Sequence, residues 1–172
     1  EGSTAVMTVT LSGATSGSTN FAATLAGVTA TGSGTDFTSD LASATYSNGV
    51  TFSGGNMVVP DAVSGWTVTI ATTSDTLDEA NETATLTVGG TAGTLTITDD
   101  DAQPTVTISD ATEVAGTVTF VATLSAASGR SLSFDYATAD GTKTAGVDYT
   151  AASGTVTFAA GETTKDIVIT AL

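Results

Sequence analysis

Apolar and polar residues alternate along most of this chain. In the ranges 117–124 and 131–136, apolar side chains occupy every second position, with Thr, Ser or Asp at most of the positions between them. The shorter ranges 94–98 and 105–109 repeat the pattern. A period of two is typical of β-strands that have one buried and one exposed face. No long window has a helical period, and Gly, Asn, Asp and Ser separate the strands at short intervals. The pattern therefore predicts an all-β protein built as a sandwich or a barrel.

The two halves of the chain carry the same motifs in the same order. The matched segments are Gly34–Thr38 with Gly146–Thr150, Val50–Phe52 with Val156–Phe158, and Glu1 with Glu113. An internal repeat of this kind indicates tandem copies of one domain. We expect domain 1 to span residues 1–101 and domain 2 to span residues 102–172, with 102–104 as a short hinge.

The repeat also predicts that both domains are truncated. A strand at 105–109 precedes Glu113, whereas nothing precedes Glu1, so domain 1 lacks its first strand. Domain 2 stops at Leu172, which matches a position near Ala71, so it lacks its last two strands. We therefore interpret the chain as a window from a longer tandem array.

The amino-acid composition of the chain excludes several classes of function. The net charge is −15, from 18 acidic and 3 basic residues, and there is neither His nor Cys. Thiol and imidazole catalysis, Ser-His-Asp triads and zinc fingers are therefore excluded, and an enzyme is the least expected function. Three basic residues are too few for nucleic acid, and no apolar run is long enough for direct membrane insertion. Strong negative charge favours cation binding instead.

Half of the acidic residues fall in four short clusters, which the predicted topology brings together. In a Greek-key sandwich successive strands reverse direction, so the segments that carry the clusters fall at one end of domain 1. Two carboxylates about 4 Å apart repel each other by about 4 kcal/mol at an effective dielectric near 20, which a bound cation offsets. Ligands that offer only oxygen favour Ca²⁺, which takes about six to eight of them. The clusters are Glu1; Asp36; Asp75, Asp78, Glu79 and Glu82; and Asp99, Asp100 and Asp101.

The acidic residues are not equal as candidate calcium ligands. The main candidates are Asp36, Asp75, Glu79, Asp99, Asp100 and Asp101. Glu1 and Glu82 come next, and Asp78 is the weakest candidate, better suited to facing solvent. Glu113 and Asp148 match two ligand positions in domain 2, where we expect an empty or weak half-site. Taken alone, three consecutive Asp residues more often form a solvated linker, so the metal site depends on the four clusters converging.

Several stretches resemble the Calx-beta repeat. They are Phe134–Thr150 continued by Ser153–Glu162, and Asp75–Thr83 followed by Gly93–Asp101. The resemblance implies two tandem, seven-stranded, immunoglobulin-like Greek-key sandwiches with calcium at the distal end of each domain. Such repeats occur in sodium-calcium exchangers and, in tandem, in large bacterial RTX-like surface adhesins, whose Thr/Ala/Gly/Asp-rich style this chain shares. The family's motif between its fifth and sixth strands often begins with two Asp residues, and here Ser74 takes the first position.

We therefore expect a calcium-rigidified structural extender segment of an extracellular bacterial adhesin or surface fibre. Its partners would be neighbouring repeats of the same polypeptide or filament, and its location the bacterial cell surface. One alternative is a subunit of a self-assembling extracellular filament joined by strand complementation. Another is a carbohydrate- or ice-binding module, in which Trp66 would be a stacking platform.

Overall fold

The computed structural model describes residues 1–31 and 35–172 and divides into two compact units. The first unit comprises Glu1–Thr76 and Asn81–Asp100, and the second comprises Leu77–Ala80 and Asp101–Leu172. The main division falls one residue before the predicted boundary, and four residues of the acidic loop belong to the second unit. The repeat motif Gly34–Thr38 begins outside the described residues.

The first unit is an antiparallel β-sandwich. One sheet has the strand order β1-β6-β3 and the other has the order β4-β5-β2-β7-β8. Apolar and polar residues alternate between Gly65 and Ala71, and the apolar ones contribute to the core. Trp66, Val68 and Ile70 are each at most 2 % exposed, while the residues between them are only partly buried. The elements are β1 (Thr4–Thr10), β2 (Thr19–Gly27), a 3-10 turn (Leu41–Ser43), β3 (Thr45–Tyr46), β4 (Thr51–Ser53), β5 (Asn56–Val59), β6 (Gly65–Ala71), β7 (Glu82–Val88) and β8 (Thr91–Ile97).

The second unit repeats part of this arrangement. β11 pairs with β10, β14 and β9 in one sheet, and β12 pairs with β13 in the other. The strands are β9 (Val106–Ile108), β10 (Glu113–Val114), β11 (Thr117–Leu124), β12 (Leu132–Ala137), β13 (Ser153–Phe158) and β14 (Thr164–Thr170). The predicted all-β, immunoglobulin-like class is confirmed. Within the described residues, no helix has the length and hydrophobicity to cross a membrane.

Strand pairing corrects one part of the predicted repeat. β11 pairs with β14 as β1 pairs with β6, and β12 pairs with β13 as β2 pairs with β5. Linkers of equal length, 60–64 and 159–163, then lead from β5 to β6 and from β13 to β14. β13 is therefore the counterpart of β5, and the match of Val50–Phe52 with Val156–Phe158 is wrong.

An inserted hairpin explains the mismatch. Thr51–Ser53 forms β4, which folds back on β5 across Gly54 and Gly55. Both glycines have positive φ, 55° and 78°, which suits a tight two-residue hairpin turn. Both arms of the hairpin have strand-like residues. The pattern of alternation alone therefore does not distinguish the inserted arm, β4, from β5, the arm that has a counterpart in the second unit.

A close backbone contact requires glycine at the end of β2. A Cβ atom on Gly27 would lie 1.8 Å from the carbonyl oxygen of Ala30, and the N–H of Ala30 is itself held by the carbonyl of Thr83. We expect Gly27→Ala to lower the free energy of unfolding by about 1–3 kcal/mol, because backbone must move to admit the methyl group. Gly13→Ala is the matched control, since no atom lies within 4 Å of its added Cβ. Chemical denaturation that gave the two variants equal stability would contradict this contact.

Candidate calcium site

The ends of several strands of the first unit meet at one end of its sandwich. The register places Thr4 opposite Ala71 and Glu82 opposite Ile97. The backbone nitrogen of Glu1 donates to the carbonyl of Thr98 at 2.7 Å, which joins the start of β1 to the segment after β8. The chain before β1, the chain after β6, the start of β7 and the chain after β8 therefore lie together, as the Greek-key topology predicts.

One pair of carboxylates at this end comes from Glu1 and Asp99. An oxygen of each lies within 4.8 Å of the other. The N–H of Asp99 donates to Oδ1 of Asn81 at 3.1 Å, which fixes the backbone of the residue that carries the second carboxylate. Oδ1 of Asp99 is buried and accepts no hydrogen bond from the described residues. A buried carboxylate oxygen without a donor is rare in native proteins and commonly marks the place of an ion or a water.

A second pair comes from Asp36 and Glu82, whose oxygens also approach within 4.8 Å. Asp36 is only 9 % exposed. Its Oδ2 accepts the N–H of Thr31, and its carbonyl accepts the N–H of Thr73 at 2.9 Å. This loop therefore holds a mostly buried carboxylate beside the first residue of β7.

The chemistry of these residues fits calcium. The donor set is made of carboxylate oxygens, with no nitrogen or sulfur, and it comes from loops that the sandwich fixes in place. Glu1 with Asp99, and Asp36 with Glu82, are the two pairs that would hold calcium. Asp75 and Asp100 belong to the same unit but are exposed, and as ligands they stay predictions.

Asp78 has a different role from the one predicted. It is 2 % exposed, so the expectation that it faces solvent is wrong. Nη2 of Arg130 donates to its Oδ1 at 2.6 Å, and Nε of Arg130 donates to its Oδ2 at 3.1 Å. The hydroxyl of Ser128 donates to Oδ2 at 2.7 Å. These bonds, those from Arg130 first, lower the pKa of Asp78, and they occupy the oxygens that a metal would use.

The segment around Asp78 is anchored through its backbone as well. Asp78 forms a parallel bridge with Ser128, and its carbonyl accepts the N–H of Gly129 at 2.9 Å. Leu77–Ala80 is therefore an integral part of the second unit. Glu79 and Asp101 belong to the same unit, and as calcium ligands both stay predictions.

The predicted half-site of the second unit is occupied by the chain's own donors. Oδ1 of Asp148 accepts Nζ of Lys143 at 3.0 Å, and its Oδ2 accepts the N–H of Thr144 at 2.9 Å. The N–H of Thr144 and then Lys143 lower the pKa of Asp148. Oε1 of Glu113 accepts the N–H of Gly116 at 2.6 Å. Both acids are thus held locally, and Lys143 supplies a positive charge beside one of them.

A family model described as the Calx-beta domain matches residues 99–172. The matched stretch is 74 of the 172 residues, and this part of the chain is similar to Calx-beta domains. The family consists of calcium-binding domains. The match covers the second unit except for its upstream segment Leu77–Ala80.

Solved structures and curated proteins add little to the Calx-beta match. The crystal structure of CBD12 from CALX1.2 is 20 % identical, covers 98 % of this chain and 70 % of its own, and has a TM-score of 0.45. The crystal structure of the calcium binding domain CBD12 of CALX1.1 is 21 % identical, with coverages of 99 % and 69 % and a TM-score of 0.43. Among curated proteins, no significant match is found.

Sequence reasoning missed three residues that shape the acidic loops: Asn81, Ser128 and Arg130. Asn81 had no distinguishing signal beyond its place in the acidic loop. Arg130 did have one, because it is among only three basic residues in a chain of net charge −15. A guanidinium in such a chain is expected to take an acidic partner, and its fork geometry suits a bidentate carboxylate.

Proposed function

We propose that this protein binds calcium through carboxylates on the loops of its first unit and that calcium stiffens the chain there. The supporting observation is the convergence of Glu1 with Asp99 and of Asp36 with Glu82, together with the buried, donorless Oδ1 of Asp99. A divalent ion would replace carboxylate repulsion by attraction at this end of the sandwich.

The position of Asp99 connects calcium binding to mechanics. Asp99 is the last residue but one of the first unit before the chain enters the second unit at Asp101. An ion held by Asp99 would fix the backbone at the point where it leaves the first sandwich. In a tandem array, repetition of such fixed exits would give a stiff fibre.

On the basis of this proposed calcium binding, we favour the function of a structural extender in an extracellular bacterial adhesin or surface fibre. Extracellular calcium modules bind with dissociation constants of about 10⁻⁴ to 10⁻³ M, so they fill outside a cell and empty inside it. Neighbouring repeats of the same polypeptide or filament would be its partners.

Small-angle X-ray scattering tests the extender function. With calcium we expect a narrower distribution of interatomic distances and a greater maximum dimension than with a chelator, because a fixed exit allows fewer orientations. Identical distance distributions in the two conditions would contradict a calcium-stiffened extender.

The alternatives predict other observations. A stacking platform at Trp66 is contradicted by burial, because this side chain is 2 % exposed and contributes to the core. A filament subunit would share the calcium chemistry but would self-associate, which sedimentation measures directly.

A further inference from the structure

The first unit has an outer sheet face that carries hydroxyl groups and no charge. It is formed by β2, β7 and β8, with β7 in the middle. The inward positions of these strands hold core residues, and every outward position is Thr, Ala or Asn. We call the six outward threonines the threonine face. They form three pairs in which the members lie directly opposite each other: Thr24 with Thr87, Thr85 with Thr94, and Thr83 with Thr96.

Most hydroxyl groups of the threonine face have no partner in the described part of the chain. The hydroxyl of Thr83 lies 3.4 Å from another threonine hydroxyl, and the other five form no hydrogen bond with a described residue. On the matching sheet of the second unit, hydroxyls are paired instead. Those of Ser133 and Thr157 are 2.9 Å apart, and that of Thr155 donates to Oδ1 of Asp135 at 2.7 Å. Only solvent or a ligand satisfies the hydroxyls of the threonine face.

The neutrality of this face is not explained by strand propensity. Propensity favours Thr, but it does not require that charged residues be absent. In the second unit the outer side of β12 carries Asp135, which is exposed. The strand pairing makes Asp135 the counterpart of Ala22, which lies on β2 beside the threonine face. The fold therefore accepts a carboxylate at this position, yet the first unit has none there in a chain of net charge −15.

The chemistry of the threonine face favours an uncharged, hydroxylated partner. Nucleic acids, anionic lipids and acidic polysaccharides are repelled by the strong negative charge of the chain. Protein interfaces commonly centre on aromatic or Arg side chains, and the threonine face has neither. A threonine hydroxyl both donates and accepts hydrogen bonds, so it pairs with sugar hydroxyls of either orientation. Its methyl group suits contact with the C–H groups of a sugar ring.

The spacing of the threonine face suits an extended polymer. Neighbouring strands lie about 4.8 Å apart, and outward positions along one strand repeat at about 6.8 Å. Threonine is stiff at χ1, so its hydroxyl and methyl groups keep fixed positions. A surface that is already ordered loses little conformational entropy when it binds. These properties match a chain of sugar units that repeats at regular intervals.

We propose that the threonine face binds an uncharged, extended polysaccharide that lies flat across β2, β7 and β8. This role goes beyond the proposed extender function and does not depend on calcium, because no carboxylate takes part. Each hydroxyl contact is weak, so a single unit binds with low affinity. Repetition of such units along one polypeptide raises the overall affinity without any new contact.

Co-sedimentation with insoluble cellulose, chitin and β-1,3-glucan tests this surface on the full chain in chelator. The variant Thr85→Val with Thr94→Val keeps strand propensity and removes two facing hydroxyls, and we expect it to bind at least about tenfold more weakly. Thr8→Val with Thr67→Val is the matched control, because these threonines also lie opposite each other but on the other sheet. Sedimentation with none of the three polysaccharides, or equal losses in the two double variants, would overturn the proposal.

A second pair of variants tests the neutrality of the face. Ala22→Asp gives the first unit the carboxylate that the second unit has, and we expect at least about tenfold weaker binding. Asp135→Ala should bind as the native protein does. Native affinity in Ala22→Asp, or equal binding to anionic alginate, contradicts recognition by a neutral surface. Inhibition of ice growth without polysaccharide binding would identify ordered water as the occupant and would also overturn the proposal.

The two proposals of this protein's function fail separately. Loss of polysaccharide binding in Thr85→Val with Thr94→Val should leave the calcium-dependent change in X-ray scattering intact. A scattering curve that is indifferent to calcium would contradict the extender and leave binding at the threonine face standing.

Discussion

Chelating calcium is expected to lower the free energy of unfolding of the first unit by about 2.7 kcal/mol per bound ion, if free calcium was held at about 100 times the dissociation constant. In the proposed site, the ion would bind the folded arrangement of carboxylates and would have no comparable site in the unfolded chain. For a unit of this size the melting temperature should fall by roughly 10 °C or more. Differential scanning calorimetry with calcium and with chelator measures the change.

Substitutions separate a calcium site from general charge screening. Asp36→Asn and Asp99→Asn keep the side-chain shape and remove one charge, and each should reduce the calcium-dependent rise in melting temperature. Asp166→Asn makes the same charge change at an exposed position on β14 and should leave that rise intact. A chelator that has no effect on the native protein, or an equal loss in all three variants, would contradict the site.

Replacing Arg130 by Met is expected to lower the melting temperature of the second unit by roughly 5–10 °C. Asp78 is 2 % exposed, and Arg130 donates to both of its carboxylate oxygens. Met keeps much of the apolar stem but leaves a buried negative charge without its counter-ion, which is costly.

Lys165→Met is the matched control for Arg130→Met. Lys165 pairs with Glu162 at 2.8 Å, but both side chains are more than a third exposed. Because solvent screens such a pair, we expect a change of less than about 2 °C. Equal losses in the two variants would contradict a special role for the buried pair.

The pH dependence of the Arg130→Met effect follows from the pKa of Asp78. Hydrogen bonds from Arg130, and then from Ser128, lower this pKa from its ordinary value of 3.8. A carboxyl group whose folded pKa is depressed stabilises the protein above its unfolded pKa, and that contribution is lost as pH falls through the folded pKa. The difference in stability between the native protein and Arg130→Met should therefore shrink as pH is lowered below 3.8, and a constant difference would contradict this linkage.

Period-two alternation was sufficient to predict most of the strands. The pattern in 94–98 predicted a strand that the structure has as Thr91–Ile97, with Leu95 and Ile97 buried. The same periodicity failed around Val50–Phe52, because any two strand-like segments match each other when shifted by two residues. Pairing with β2 identifies β5 as the strand that corresponds to β13. Such a pairing joins residues far apart in the sequence, so a local pattern does not contain it.

The candidate site shows a similar limit. Topology was enough to predict that Glu1, Asp36, Glu82 and Asp99 come to one end of the first sandwich. It was not enough to predict that Asp78, only four residues before Glu82, points into the second unit. That outcome depends on a pairing with Arg130 across 52 residues of sequence, which no local pattern contains.

The inclusion of Leu77–Ala80 in the second unit has a practical consequence for gene design. A recombinant fragment that starts at the hinge 102–104 would contain Arg130 and Ser128 but would omit the acid that neutralises the guanidinium. Duplication or shuffling of such modules would keep the contact only if each copy inherited the upstream tetrapeptide from its predecessor. The segment that must be copied to keep this contact therefore begins at Leu77, upstream of the predicted start of domain 2 at residue 102.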